Sequence, residues 1–314
     1  MSHLSILFMG TPDFAEASLR ALCEAGERVV GVVTGEDKRT GRGMKLTYSE
    51  VKSYALSRSL PIYQPATLKD GAIAPLLNEL RPDVIVVVAY GKILPEYVLS
   101  APKYGCINIH GSLLPRYRGA APIQRAVLNG DRVTGVTSMY MAKGLDTGDI
   151  IFSEKTEIGE NETVGELWDR LSLLGGKVLL KTLDALEQGN APRTAQNDAE
   201  STYAAKITKE ETLLDFARPA SCVHNTIRGM SPYPAAYAYL GETPVKLYDS
   251  FVCEGLGAPG EILSLSPDGV VIACGEGAVR VLSFKPEGSR RMSAGDMING
   301  RKITKESRFT AKPE

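Results

Sequence analysis

Histidine, tryptophan and cysteine are scarce: 314 residues contain three, one and five of them. Cys23, Cys106, Cys222, Cys253 and Cys274 are odd in number, scattered, and never form a C-x-x-C pair. That spacing argues against a disulfide framework and a cysteine-based zinc site, and it fits a reducing compartment such as the cytoplasm. No stretch approaches the roughly 20 apolar residues a membrane helix needs, so no membrane partner is expected. The opening Ser2-His3-Leu4-Ser5-Ile6-Leu7-Phe8-Met9-Gly10 lacks a basic leader and reads as a first strand rather than a signal peptide. Excess charge of either sign is missing as well. With 36 basic and 37 acidic residues, the chain as a whole does not resemble a nucleic-acid binder, and only a local basic patch could serve that purpose.

What is present is a hydrophobic fraction of 43%, enough for one large or two ordinary cores. The first half alternates strand and helix patterns. Strands are expected at Ser5–Met9, Val29–Thr34, Leu60–Tyr63, Val84–Ala89, Cys106–His110, Val133–Tyr140 and Ile150–Lys155. Helices are expected at Phe14–Ala25, Val51–Ser57, Pro75–Leu80 and Ile123–Asn129, with one or two more over Thr163–Glu187. Val84–Ala89 is apolar on both faces, which implies a mainly parallel sheet covered by helices on both sides, a Rossmann-like α/β domain over residues 1–189. The stretch from Gly189 to about Glu200 is polar, and a linker is placed at 190–206. Beyond it, over 207–314, a helix at Ala220–Arg228 precedes short alternating runs at Ala235–Leu240, Val245–Val252, Gly260–Ser264, Gly269–Ala273 and Ala278–Lys285. Strands at that spacing point to a small β-barrel, of which the OB type is one possibility.

Gly10-Thr11-Pro12-Asp13-Phe14 follows the first strand but lacks the glycines of a dinucleotide fingerprint, so it reads as a turn at a helix start. Asn108 and His110 flank Ile109 on one strand and so share a face. They precede Gly111-Ser112-Leu113-Leu114-Pro115, a fixed turn at a carboxyl strand end, where open α/β sheets bind ligands. The proline allows a cis Leu114–Pro115 bond. Asp146 lies in Gly144-Leu145-Asp146-Thr147-Gly148, where an aspartate beside glycine is most often a turn former. No metal is assigned, because His110, Asp146 and Asp149 are not at a recognisable ligand spacing. Lys38, Arg39, Arg42 and Lys45 lie in a long glycine-punctuated loop, either a solvated surface or a partner for phosphates. From Lys285 to Glu314, eight basic residues (Lys285, Arg290, Arg291, Arg301, Lys302, Lys305, Arg308, Lys312) stand against four acidic ones. A solvated tail and an anionic partner explain that excess about equally. Tyr233, Tyr237, Tyr239 and Tyr248 either stack bases or pack a small barrel.

Several of these blocks together resemble the formyltransferases that use 10-formyltetrahydrofolate. The match includes Gly10 to Phe14, Gly41-Arg42-Gly43, Val86-Val87-Val88-Ala89-Tyr90-Gly91, the block from His110 to Pro122, Gly144 to Gly148, and Thr202-Tyr203-Ala204-Ala205-Lys206-Ile207. The resemblance covers essentially the whole chain. It implies that Asn108, His110 and Asp146 carry catalysis. It implies that Ser112, Leu113, Leu114 and Pro115, with backbone around Val88, Tyr90 and Gly91, bind the folate co-substrate. Arg42, Lys45 and Lys206 would face a tRNA acceptor, and the C-terminal barrel would contact the same tRNA. The expected reaction is formyl transfer to the amino group of initiator methionyl-tRNA by a cytoplasmic monomer. A formyltransferase for a small amine, such as an amino sugar nucleotide or glycinamide ribonucleotide, is the near alternative. A non-catalytic RNA-binding protein is the distant one. Tyr48, Glu50 and Ala142 depart from the family pattern.

Overall fold

The computed structural model describes residues 4–40 and 44–313. In chain order its elements begin with β1 (Ile6–Gly10), α1 (Asp13–Glu24), β2 (Val29–Val33), β3 (Lys38–Thr40), β4 (Lys45–Thr47), α2 (Glu50–Ser57) and β5 (Ile62–Tyr63). They continue with α3 (Ala74–Leu80), β6 (Val84–Val88), α4 (Glu96–Leu99), β7 (Cys106–His110), β8 (Arg118–Gly119), α5 (Pro122–Leu128), β9 (Val133–Tyr140), β10 (Ile150–Glu157) and α6 (Val164–Glu187). The remainder comprises β11 (Tyr203–Ala204), α7 (Ala220–Gly229), β12 (Tyr237–Leu240), β13 (Thr243–Cys253), β14 (Ile262–Ser266), β15 (Gly269–Ala273), β16 (Ala278–Pro286), β17 (Met292–Ser293), α8 (Ala294–Asn299) and β18 (Phe309–Thr310).

Two compact units emerge. The first comprises residues 1–119, 135–156 and 168–204. Its sheet has the order β10-β9-β7-β6-β1-β2-β5. Pairing is parallel from β5 through β7 and antiparallel between β7 and β9. Strands β1 and β6 are buried along their whole length, as their uninterrupted apolar sequences require of central strands covered on both faces. This is a Rossmann-like arrangement. Gly10 ends β1 where a Cβ would lie 2.6 Å from the Cβ of Ala15 and 2.8 Å from the carbonyl oxygen of Val88. The helix start that follows needs that close approach, and Pro12 is its N-cap.

At the opposite ends of these strands, Asp83 accepts hydrogen bonds from the amide (2.8 Å) and the hydroxyl (2.7 Å) of Ser5. These bonds hold its pKa below the ordinary 3.8. A depressed carboxylate stabilises the fold above its unfolded-state pKa, and the contribution is lost as pH falls through the folded-state value. Asp83→Asn should therefore cost about 1 kcal/mol at pH 7 in urea melts. The difference from wild type should shrink as pH falls from 3.8 through the lower folded-state value; a pH-independent difference would reject the charge as its cause.

The second unit comprises residues 120–134, 157–167 and 205–314. Its antiparallel sheet runs β14-β15-β16-β13-β12-β18, with β17 beside β16. The sheet curls until its edges meet. Arg308, just before β18, bridges Glu261, just before β14, and the Phe309 amide donates to the Gly260 carbonyl at 2.9 Å. A side chain at Gly260 would collide with the Phe309 carbonyl oxygen, 1.9 Å away. Phe216, Phe284 and Phe309 pack inside this barrel.

Two expectations change. The loop around residue 40 carries strands β3 and β4, paired antiparallel from Lys38–Thr47 to Thr40–Lys45. Its described side chains, Lys38, Arg39, Met44, Leu46 and Thr47, are all exposed, so burial leaves little pattern to mark it as a sheet. The basic C-terminal stretch is not a free tail either. It supplies β17, α8 with a Ser293–Asp296 capping box, and β18, and it buries Ile303 and Phe309.

Candidate active site

Strand β7 ends at the carboxyl edge of the first sheet and carries Asn108 and His110 on one face. His110 is buried. Its Nε2 donates to the carbonyl of Tyr117 at 2.8 Å, since a carbonyl only accepts. Its Nδ1 lies 3.7 Å from Asp146 Oδ2, longer than a hydrogen bond. The Asn108 amide nitrogen is 3.5 Å from the other oxygen, Asp146 Oδ1. Amide, imidazole and carboxylate thus converge, although Asp146 is 36 residues further along the chain than His110. Asp146 adopts φ +52, a left-handed conformation that aspartate tolerates better than most residues. The turn expected for it and its place beside the imidazole are both present.

The turn after His110 is irregular and tightly held. Ser112 is fully buried, and its hydroxyl donates to the Arg116 carbonyl at 2.7 Å. Thr137 Oγ1 on β9 donates to the Ser112 carbonyl and accepts from the Leu114 amide. The Leu114–Pro115 bond is cis. Leu113 and Pro115 are half-buried and Leu114 is buried. At the neighbouring carboxyl strand end, Val88 is buried, Ala89 and Gly91 have φ +44 and +79, and Gly91 faces open space. The Tyr90 hydroxyl is buried with no hydrogen-bond partner among the described residues, and burial pushes its pKa up to about 12. β6 and β7 are paired neighbours, with Val87 opposite Asn108, so these two turns share one sheet edge.

Three partners of the site were not apparent in the sequence. Tyr117 supplies the carbonyl that orients His110. The Gly119 amide donates to Asp146 Oδ2 at 2.8 Å. Gln196 donates to the carbonyls of Asp146 (2.8 Å) and Gly148 (2.7 Å). Gln196 lies within the polar stretch taken for a linker, and nothing in its local pattern marks it. In the structure it is the one residue from Pro192 to Glu200 that is not exposed.

The basic candidates are less gathered. Arg42 lies outside the described residues, and Lys45 opens β4. Lys38 and Arg39 are exposed on β3. The base of that hairpin is fixed: Lys52 Nζ bonds Asp37 (2.6 Å) and Gln64 (2.7 Å) and sits over the ring of Tyr48. Lys206, in the second unit, is exposed. In that unit Arg308 donates to the Pro259 carbonyl and Arg291 pairs with Asp249. Tyr233 is 81% exposed, whereas Tyr248 is buried. Among the described residues no group of three or more His, Cys, Asp or Glu could hold a metal ion, and no helix is long and apolar enough to cross a membrane.

Comparison with known proteins gives this geometry a context. A protein of Citrifermentans bemidjiense named methionyl-tRNA formyltransferase is 45% identical over 303 residues, covering 96% of this chain and 95% of that protein. Among solved structures, the N-formyltransferase of Helicobacter canadensis, in complex with folinic acid and dTDP-3-aminofucose, superposes with a TM-score of 0.67 at 17% identity. It covers 92% of this chain and all of that one. HypX of Aquifex aeolicus in complex with tetrahydrofolic acid gives 0.65 at 19% identity, and this chain spans about half (47%) of its length while 96% of this chain is covered. At those identities the structures show a shared fold. Residues 3–183 match the family described as formyl transferase, and residues 206–302 match the formyl transferase C-terminal domain. The chain that places Asn108, His110 and Asp146 at one strand end therefore belongs to the formyl transferase family.

Proposed function

We propose that this formyl transferase moves a formyl group from 10-formyltetrahydrofolate to the amino group of initiator methionyl-tRNA, giving N-formylmethionyl-tRNA for translation initiation. The observation that carries the reading is 45% identity to a methionyl-tRNA formyltransferase along 96% of the chain, through both matched domains. Attack of the amine on the formyl carbon forms a C–N bond and a tetrahedral oxyanion. The amine then loses a proton, and the C–N bond to the folate breaks as that nitrogen takes up a proton. The Asn108 amide is a donor suited to the oxyanion, and the His110 ring is one at Nδ1 once that nitrogen carries a proton, since its Nε2–H is committed to the Tyr117 carbonyl. The Asp146 carboxylate, 3.7 Å from His110 Nδ1, would orient the imidazole and relay the proton.

In this reading the folate binds against the turn Ser112-Leu113-Leu114-Pro115 and the backbone at Val88, Tyr90 and Gly91. The buried Tyr90 hydroxyl, without a hydrogen-bond partner among the described residues, and the open space at Gly91 fit a polar heterocycle there. The catalytic part is 1–189, 190–206 the connection, and 207–314 the tRNA-binding barrel. The enzyme acts in the cytoplasm as a monomer without a metal. Arg42, Lys45 and Lys206 contact the tRNA. Because the chain is nearly neutral, affinity must come from such local clusters. If the β3–β4 hairpin and the barrel each neutralise two or three phosphates, log affinity should fall against log salt with a slope of about -4. Filter binding for wild type and Arg42→Ala measures it, and a flat salt profile would remove the tRNA contacts. Formyl transfer assayed side by side on charged initiator tRNA, glycinamide ribonucleotide and an amino sugar nucleotide tests the acceptor. Turnover on either small amine above that on tRNA would overturn the reading.

A further inference from the structure

We propose that residues 193–204 form a strap that positions Asp146, with Gln196 as its positioning residue. The inference rests on the reading of Asp146 given above. The strap is stitched to the first unit at successive points. Thr194 exchanges two backbone hydrogen bonds with Ile150, and the Arg193 guanidinium lies 3.6 Å over the Tyr140 ring and 3.6 Å from Asp149. Thr202 accepts from the Tyr117 amide through its hydroxyl (2.8 Å) and from the Arg118 amide through its carbonyl (2.9 Å). β11 then pairs with β8 in parallel.

Gln196 sits at the centre and its amide is saturated. Its oxygen accepts from Arg118 Nε (3.0 Å) and Nη2 (2.8 Å). Arginine only donates, so this contact fixes which end of the amide is which. Both N–H groups are then committed to the carbonyls of Asp146 and Gly148, on either side of Thr147. A single planar group thereby fixes the backbone of a residue at φ +52. The strap holds the Asp146 side chain by a second route. The Gly119 amide that bonds its carboxylate belongs to β8, which β11 pins in place. A side chain at Gly119, with φ +121, would meet the Ala204 carbonyl oxygen at 2.8 Å.

A residue acting through Asp146 should affect turnover rather than binding. Gln196→Ala is expected to lower kcat by about 10²-fold, the scale for misplacing a catalytic group by an ångström, with KM for tRNA and folate unchanged. Gln196→Glu keeps the acceptor for Arg118 but sets a carboxylate oxygen against two carbonyls, so its loss should be at least as large. The decisive arm is a double-mutant cycle. In an Asp146→Asn background, Gln196→Ala should cost nothing further, because the group it positions is already disabled. Full kcat in either Gln196 variant, or losses that multiply in the double variant, would overturn the strap's role while leaving the site reading intact. Wild-type turnover in Asp146→Asn alone would overturn the site reading, and the strap's role with it. Melting temperatures of each variant separate these results from unfolding, since a merely structural Gln196 would lower stability and leave the cycle additive.

Discussion

Replacing His110 with alanine is expected to lower kcat by about 10²- to 10⁴-fold, the range that a positioned acid, base or donor contributes. That loss corresponds to roughly 3–5 kcal/mol in the transition state. The structural cost is separate and smaller. The His110 ring makes one hydrogen bond, to the Tyr117 carbonyl, and losing it costs about 1–3 kcal/mol. Turnover and melting temperature measured on the same preparation distinguish the two. Because the loss falls on the transition state, KM for folate should change little. A folded His110→Ala enzyme within a few-fold of wild type would eliminate the imidazole from the chemistry.

The second large effect is expected from a single methyl group at Gly148. A Cβ there would lie 1.7 Å from the Tyr140 carbonyl oxygen and 2.8 Å from its carbon. The obstacle is backbone at the end of β9 and cannot swing aside, so the loop carrying Asp146 must move. Gly148 also supplies one of the two carbonyls that Gln196 holds. Gly148→Ala should therefore reduce turnover by about 10²-fold or more, with about 1–3 kcal/mol of lost stability from overpacking. Gly144→Ala is the control in the same loop. There the Cβ would meet the side-chain oxygen of Thr147 at 2.3 Å, and an exposed hydroxyl can rotate away. Comparable activity in the two variants would show that the loop adjusts freely and that close backbone approach does not fix Asp146.

The parts of this molecule legible in its sequence are those where burial writes a pattern. β1 and β6 announce themselves as continuous apolar runs because both faces are covered. β16 announces itself through alternation, with buried Val279, Val281 and Phe284 against exposed Arg280 and Lys285, because the barrel has one inner face. Asn108 and His110 could be placed on one face from strand periodicity alone. Asp146 could not be brought to them, because no spacing rule reports a contact between a strand end and a distant loop; only family resemblance linked them. The β3–β4 hairpin escaped because its described side chains, Met44 and Leu46 among them, are exposed. Gln196 escaped for a different reason: its partners are main-chain carbonyls and an arginine far away in sequence, and a polar residue flanked by exposed ones looks like any linker position.

That long-range strap also dates the assembly of the site during synthesis. By the time the chain has been extended to Asp149, β1, β6, β7, β9 and the Asp146 loop have all been made. Gln196, Thr202 and Tyr203 have not. At about 5–20 residues per second, the ribosome needs roughly 3–11 s to add the stretch from there to Ala204. For that interval the nascent chain has its imidazole and its carboxylate but not the segment that holds them in register, so the site is assembled after the sheet and not with it.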